Sequence, residues 1–278
     1  MMGSATRKRL VSFLSHLLLI AAGVVMVVPF FWMISTALKG NAEMYIYPPR
    51  WIPEKIHLEN FKRAWQIAPF GRFYINSIFV ATTITISQVI TGALAGYVFA
   101  RLRFPGRDAI FYMYVATLIV PTQITMLPLF LIMNSLKWIN TYQALIAPFL
   151  SSAFIVFFLR QFFSTLPVEL EDAAKIDGCG RTRFIWQVLL PLSRPALASI
   201  GLFTFLGHWN SYIWPLIITN STNMRTLPIG LRYFVEESGA QYNYMMAAAL
   251  ISVAPVVVLF FLAQRQFIES IALTGMKS

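Results

Sequence analysis

From Leu10 to Leu38 the chain carries no Asp, Glu, Lys or Arg and is apolar almost throughout. About 20 apolar residues wound as an α-helix cross the hydrocarbon core of a bilayer. Inside lipid the backbone finds no water, so a crossing segment must bond its own N–H and C=O groups, as a helix does. A secretory leader would have a shorter apolar run, of about 7–15 residues, and a small-residue cleavage site. The run here is longer, and its end, Ser35-Thr36-Ala37-Leu38-Lys39, is a poor site. With Arg7, Lys8 and Arg9 in front of it, the segment is expected to be an uncleaved first span at about 11–37, entering from inside. Pro29 is expected to kink this span rather than end it.

Composition extends the argument to the whole chain. Of 278 residues, 58% are hydrophobic and 12% charged, against about 25% charged in soluble domains. Further apolar runs lie at about 73–100, 109–133, 143–163, 196–218 and 245–263. The expected fold is therefore all-α, a polytopic membrane protein with six transmembrane helices. Residues 1–70 hold the first span and an outer amphipathic segment, 71–265 the core of five spans, and 266–278 a cytoplasmic tail. In the outer segment Leu58, Phe61, Trp65 and Ala68 recur at helical spacing, which suits a short interfacial helix with a Trp anchor.

The net charge of +11 fits basic loops against anionic lipid headgroups. No nucleic-acid motif accompanies it, so nucleic acid is not an expected partner. The basic residues are somewhat more frequent on the side that puts both termini inside. A single cysteine, Cys179, excludes an internal disulfide and a cysteine-rich metal site.

One long segment of the second half is built for water: Glu169 to Pro195, between two apolar runs. Pro167, Glu169, Glu171 and Asp172 suit the first turn of a helix, where unpaired N–H groups favour negative charge. Ala173 and Ala174 are strong helix formers. Asp177-Gly178 reads as the stop, since glycine accepts the left-handed conformation that closes a helix. A second short helix is expected from Arg181 to Leu190, with Phe184 and Val188 on one face and Ile185 and Leu189 beside them, ended by Pro191 and Pro195. The expectation is a short, rigid helix–turn–helix at a membrane surface.

Acids are absent from the core of every expected span. Ion-coupled carriers often hold ionisable groups there, at a cost of about 2.5–3.5 kcal/mol each. An ion-coupled carrier or a channel remains the alternative reading, but the driving energy is expected to come from elsewhere. It does not come from a nucleotide site on this chain, which lacks a Gly-x-x-x-x-Gly-Lys-Ser/Thr loop. His16, His57 and His208 lie far apart without carboxylate partners, so no metal site and no catalytic group is assigned.

Other features concern helix packing and solute. Gly92 and Gly96 form a Gly-x-x-x-Gly step that lets another backbone approach. Thr82, Thr83, Thr85, Ser87, Gln88 and Thr91 are read mostly as interhelical glue, with one or two of them left as candidates to line a path. In the third run Pro121 and Pro128 free backbone groups that neighbours or water must satisfy. Gln123 beside them either bonds a polar solute or a neighbouring helix. In the fifth run Trp209, Asn210, Tyr212 and Trp214 form an aromatic and amide band that suits stacking against a sugar, or helix packing at a membrane interface. Trp214 is read as packing, and Asn210 as a contact for the solute, because a buried amide needs partners.

The spacing of the water-built segment carries a resemblance. Asp172-Ala173-Ala174, three residues, Gly178, nine residues, then Val188-Leu189-Leu190-Pro191 resembles the coupling-loop motif of ABC importer permeases, Glu-Ala-Ala to Gly to Ile-x-Leu-Pro. Asp172 replaces Glu and Val188 replaces Ile, keeping charge or shape. Asn76-Ser77, Arg103-Phe104-Pro105-Gly106, Trp209 to Pro215, Leu227-Pro228-Ile229-Gly230 and Gln264-Arg265 extend the likeness to the carbohydrate-type permeases, those of the smaller maltose-type subunit and of glycerol-3-phosphate. This resemblance implies the type I ABC importer permease fold, with the coupling loop at 164–195 in the cytoplasm. It implies a heterodimer with a second permease subunit, two ATP-binding subunits carrying ATP and Mg, and an extracytoplasmic solute-binding protein. It implies that Glu169, Asp172, Ala173, Ala174, Asp177, Gly178, Arg181, Arg183 and Pro191 serve ATPase coupling.

Overall fold

The computed structural model describes residues 4–236 and 241–275. Glu237, expected in an outer loop, and Lys277, expected in the tail, lie outside the described residues. All regular structure among the described residues is helical. Four helices are long and apolar enough to cross a membrane: Leu10–Ala37, Phe70–Arg101, Tyr142–Thr165 and Tyr242–Leu262. Two bent pairs pass the same test when each is taken together, Arg107–Ile119 with Thr122–Ser135 and Arg181–Leu192 with Arg194–Trp209, which brings the number of spans to as many as six. The chain divides into two compact units, Met1–Ala68 with Leu231–Val253, and Pro69–Gly230 with Ala254–Ser278.

In the first unit α1 runs from Ser4 to Ala37, and Pro29 lies inside it without ending it. Every residue from Leu10 to Phe31 is exposed. A charge-free helix bare on all sides is stable in lipid, not in water. Its far end is anchored instead. Asn60 donates from Nδ2 to the Ala37 and Lys39 carbonyls at 2.8 and 2.9 Å, capping groups that the helix leaves open. The Lys39 ammonium sits 4.1 Å from the Trp32 ring centre, and burial pulls its pKa below the ordinary lysine range. Helix α2, Glu59–Ile67, buries Asn60 and Ala64 and leaves Leu58 and Trp65 exposed. The anchor position expected for Trp65 is thus open to a membrane surface.

The second unit is organised on α3, Phe70–Arg101, which packs along α7, Ala153–Thr165. The two glycines on α3 make the approach possible. A Cβ on Gly92 would stand 2.5 Å from the Ile155 Cγ2, and one on Gly96 3.1 Å from the Arg160 nitrogen. The hydroxyl and amide row of α3 serves the chain just before α7. Helix α6, Tyr142–Ile146, passes through a tight turn at Ala147–Phe149 before α7 begins. Ser87 donates to the Leu150 carbonyl at 2.8 Å and Gln88 to the Phe149 carbonyl at 2.6 Å. The glue reading holds for Ser87 and Gln88, and for Thr91, which reaches the Leu150 carbonyl at 3.2 Å, all three satisfying backbone carbonyls freed at a break. Thr85 instead bonds the Ala81 carbonyl of its own helix at 2.7 Å.

The third expected span is bent by 98° between α4, Arg107–Ala116 with a tight turn to Ile119, and α5, Thr122–Ser135. The cause is local: Val120 is extended because a following proline disfavours the helical region, and Pro121 has no N–H to continue the ladder. The stretch at 219–244, between the fifth and sixth apolar runs, contains α13, Leu227–Glu236. Helix α14 runs from Tyr242 to Gly275, beyond the end expected for the last span and into the stretch read as a tail.

Candidate functional site

The water-built segment folds as an elbow with two arms. The first arm, α8, spans Glu169–Ile176. It stops at Asp177 by a double closure: the Gly178 N–H bonds the Lys175 carbonyl at 3.0 Å and the Cys179 N–H the Ala174 carbonyl at 2.8 Å. This closure needs a left-handed residue, and Gly178 has φ +70°. The second arm starts with α9, Arg181–Phe184, widens to a π-turn over Ile185–Leu189, and closes with α10, Leu190–Leu192. The next helix, α11 (Arg194–Trp209), leaves at 80° to this arm. Ser193 at the corner is fully buried and donates to the Leu189 carbonyl at 2.7 Å.

Two expectations change here. Pro191 does not end the second arm at its own position; it lies within α10, and the arm runs on to Leu192 before the corner at Ser193. Pro195 lies in the first turn of α11. Ala174 is not available to a partner. It is buried with Phe184, Ile185 and Leu189 against Ala93 and Tyr97 of α3 and Ile155, Leu159 and Phe163 of α7. Successive helical residues turn by about 100°, so Ala173 beside it faces outward and is exposed. Each large apolar side chain in this base contributes about 1.5–3 kcal/mol, which makes the elbow part of the packed unit.

The outward face has a different chemistry. Glu169, Asp172, Asp177, Gly178, Arg181 and Arg183 are all exposed. Ile176 is 87% exposed at the tip, and Trp186 is 52% exposed on the second arm. No described atom lies within 4 Å of where a Gly178 Cβ would stand. Lys175 reaches Asp172 at 3.3 Å and Glu171 at 3.4 Å, and the hydrogen bond to Asp172 is the largest cause holding its pKa above the ordinary lysine range. Arg183 Nε donates to Gln187 at 2.7 Å.

Two residues that hold the elbow carry only weak signals in sequence. The Glu171 side chain is 10% exposed, against 60% for its neighbour Asp172, and it accepts from the Tyr97 hydroxyl at 3.3 Å. Arg101 donates from Nη2 to the Phe163 and Leu166 carbonyls at 2.8 and 2.7 Å, closing the end of α7. The spacing of Glu171 to Lys175 was the available clue for the first.

The expected aromatic and amide band is taken apart by the fold. Trp209 is 4% exposed, stacked on Phe205 at 5.6 Å and edge-on to Tyr74 at 5.7 Å, so it is a packing residue. Asn210 is exposed rather than buried, and its Nδ2 bonds the Leu206 carbonyl at 3.0 Å, capping its own helix. Tyr212 is half-buried in the break before α12, Ile213–Ile218. Trp214 is buried and donates to the Ala144 carbonyl at 3.0 Å, as its packing reading requires. His208 faces Gln88 at 3.3 Å in the interior. Gln123 is exposed one residue after the start of α5, accepting from the Thr122 hydroxyl at 3.4 Å. Asn76 and Ser77 pin the segment before α13: Asn76 bonds the Asn223 and Arg225 carbonyls, both at 2.8 Å, and Ser77 accepts from the Leu227 N–H at 2.7 Å. Gly230 follows because a Cβ there would stand 2.2 Å from the Phe73 ring.

Among the described residues, helices that make up to six candidate spans, together with a polar elbow packed at its base on α3 and α7, are the architecture of a membrane-spanning protein. More narrowly, the chain belongs to the binding-protein-dependent transport system inner membrane component family, whose pattern matches residues 88–272. It is 33% identical over 264 residues to the sn-glycerol-3-phosphate transport system permease protein of Yersinia enterocolitica, covering 92% of this chain and 94% of that one. It is 32% identical over 273 residues to the diacetylchitobiose uptake system permease protein of Streptomyces coelicolor, covering 97% and 90%. It is 35% identical over 244 residues to the arabinooligosaccharides transport system permease protein of Halalkalibacterium halodurans, covering 87% and 86%. The fold matches a chain of a bacterial ABC transporter involved in the import of the acidic polysaccharide alginate, with a TM-score of 0.84 at 21% identity over 96% of this chain and 99% of that one. The fold is thus that of a type I ABC importer permease, and the chain resembles the carbohydrate-type permeases.

Proposed function

We propose that this chain is a permease subunit whose elbow docks on a separate ATPase and passes its stroke to the spans. The observation that carries this reading is the tip. Ile176 stands 87% exposed among Ala173, Asp177 and Gly178, on an elbow whose base is packed. An apolar side chain held in water on an elbow that also exposes Asp172, Arg181 and Arg183 is suited to a protein cleft with apolar walls and a charged rim. The ATPase then lies in the cytoplasm, and both termini with it. ATP and Mg belong to two copies of that subunit. A second permease completes a heterodimer, and an extracytoplasmic solute-binding protein delivers the solute.

The solute class is a sugar or a related polyol or glycerophosphate. The named solutes of the relatives, glycerol-3-phosphate, diacetylchitobiose and arabinooligosaccharides, share dense hydroxyl groups. The exposed amides of Gln123 and Asn210 are the candidates to meet such a solute. Trp209 is withdrawn because its ring is fully engaged.

The test is co-purification from a strain that expresses the whole set of subunits. The wild-type chain is expected to bring down an ATP-binding subunit and to raise its ATP hydrolysis when reconstituted. Gly178→Asp places a charged side chain at φ +70° on the tip, and is expected to release the ATPase while the permease still folds. Solute uptake by this chain alone under an ion gradient would instead favour a secondary carrier.

A further inference from the structure

Tyr97 meets both arms of the elbow. Its hydroxyl donates to Glu171 of α8 at 3.3 Å, and its ring centre lies 6.2 Å from that of Phe184 in α9. The side chain is 2% exposed, so both contacts are made out of water. One helical turn further along α3, Arg101 grips the carbonyls of Phe163 and Leu166, where the chain leaves α7 for the elbow. Helix α3 therefore contacts the first arm at Tyr97 and, one turn on, the entry to the elbow at Arg101.

The chemistry at position 171 is not what packing alone would select. A carboxylate shut away from water is costly unless hydrogen-bonded, and an apolar residue would fill the same space. The Glu171 carboxylate adds direction, because its bond to Tyr97 fixes a distance. At 3.3 Å that bond is longer than a full-strength hydroxyl bond by about 0.5 Å, which leaves room for α8 to draw closer to α3.

We propose that Glu171 and Tyr97 are positioning residues for energy coupling: their hydrogen bond ties the first arm of the elbow to α3, so that force arriving at the tip moves α3, and through Gly92 and Gly96 also α7. This rests on the reading that an ATPase docks at the tip, but it concerns what happens behind the docking face. Neither side chain is on that face.

The test uses the whole complex with its ATPase, and ATP with vanadate as the probe, so that no solute need be known. Backbone hydrogen exchange is followed in α8 and in the Ala93–Arg101 end of α3. In wild type, ATP–vanadate is expected to slow exchange in both. In Tyr97→Phe and Glu171→Leu the response of α8 should persist while that of α3 falls by about tenfold, the loss of one charged hydrogen bond. Glu171→Gln keeps an oxygen for the tyrosine hydroxyl and should restore the α3 response. A double variant should be no worse than either single one. An unchanged α3 response in Tyr97→Phe would overturn the tie. So would faster exchange across the elbow before ATP is added, since the pair would then serve folding only. If wild-type α8 itself ignores ATP–vanadate, the docking reading fails instead, and the two failures are told apart.

Discussion

The elbow at Glu169–Pro195 and the aromatic band at Trp209–Pro215 both interrupt apolar helix with polar and aromatic residues, yet the fold uses them in opposite ways. In the elbow the buried residues sit beneath and the exposed ones, Ile176, Asp177 and Trp186, are left without internal employment on the outer face. In the band almost every conspicuous group is already engaged: Trp209 by Phe205 and Tyr74, Trp214 by the Ala144 carbonyl, Asn210 by the Leu206 carbonyl. A residue that stands out in sequence is available for binding only where the local fold leaves it nothing to do. The elbow passes that criterion and most of the band does not.

The sharpest way to break this contrast is a pair of tryptophan truncations. Trp214→Ala removes a buried ring and orphans a carbonyl, and should cost about 3–5 kcal/mol. Thermal unfolding in detergent measures it. Trp186→Ala removes a ring that is 52% exposed, and should stay within about 0.5 kcal/mol of wild type while weakening ATPase capture. Equal melting of both variants would erase the distinction between packed band and free elbow.

Next in size is the floor beneath the elbow. Gly92→Ala places a Cβ 2.5 Å from the Ile155 Cγ2. Two helices with full backbone ladders must then move apart, at about 1–3 kcal/mol. The tip provides the contrasting glycine. Gly178→Ala meets no described atom within 4 Å and suffers only the left-handed backbone, about 1–2 kcal/mol. Unfolding midpoints should therefore rank Gly92→Ala below Gly178→Ala. The reverse order would mean that α3 and α7 part easily, and that the elbow has no firm base.

Much of this was legible in sequence for a physical reason. Spans follow from hydropathy because lipid leaves the backbone no other choice, and the elbow follows from acids, alanines and a stop glycine whose effects are local. Gly92 and Gly96 were readable because a bare backbone has few uses. What sequence could not supply was orientation around a helix. Ala173 and Ala174 look alike in the motif but one is exposed and the other buried, and Glu171 looks like Asp172 until one is buried. The fifth span failed for a related reason. Asn210 was read as a buried amide needing partners, when its partner is the carbonyl four residues earlier and the break it caps exposes it. Only the position of that break decides the matter.

Asn210 yields a smaller and more discriminating prediction. Asn210→Ala loses one capping hydrogen bond, about 0.5–1.5 kcal/mol. If that is its whole role, half-saturation for solute uptake in the reconstituted importer stays at the wild-type value while the unfolding midpoint drops slightly. A shift in half-saturation with unchanged stability would instead support the proposed contact of Asn210 with the solute and return part of the band to function.

The smallest effect is expected at Lys175, and it separates the two faces of a single arm. Its ammonium is exposed between Asp172 and Glu171 at 3.3 and 3.4 Å, and the bond to Asp172 raises its pKa in the folded chain. A raised cation stabilises the fold fully below the ordinary lysine range and loses that contribution as pH climbs through the folded value. Lys175→Met removes the effect at neutral pH. The variant should therefore melt slightly lower than wild type near neutrality, with the gap closing as pH is raised above the lysine range. Because exposed ion pairs are weak and screened, added salt should narrow the gap too. The tie from Glu171 to Tyr97 is made at a buried hydroxyl and should depend on salt less than the Lys175 pairs do. Should Lys175→Met disturb the α3 response to ATP–vanadate as strongly as Tyr97→Phe does, Glu171 would be acting through its exposed partner, and the division between an outer docking face and an inner transmitting face of α8 would fall.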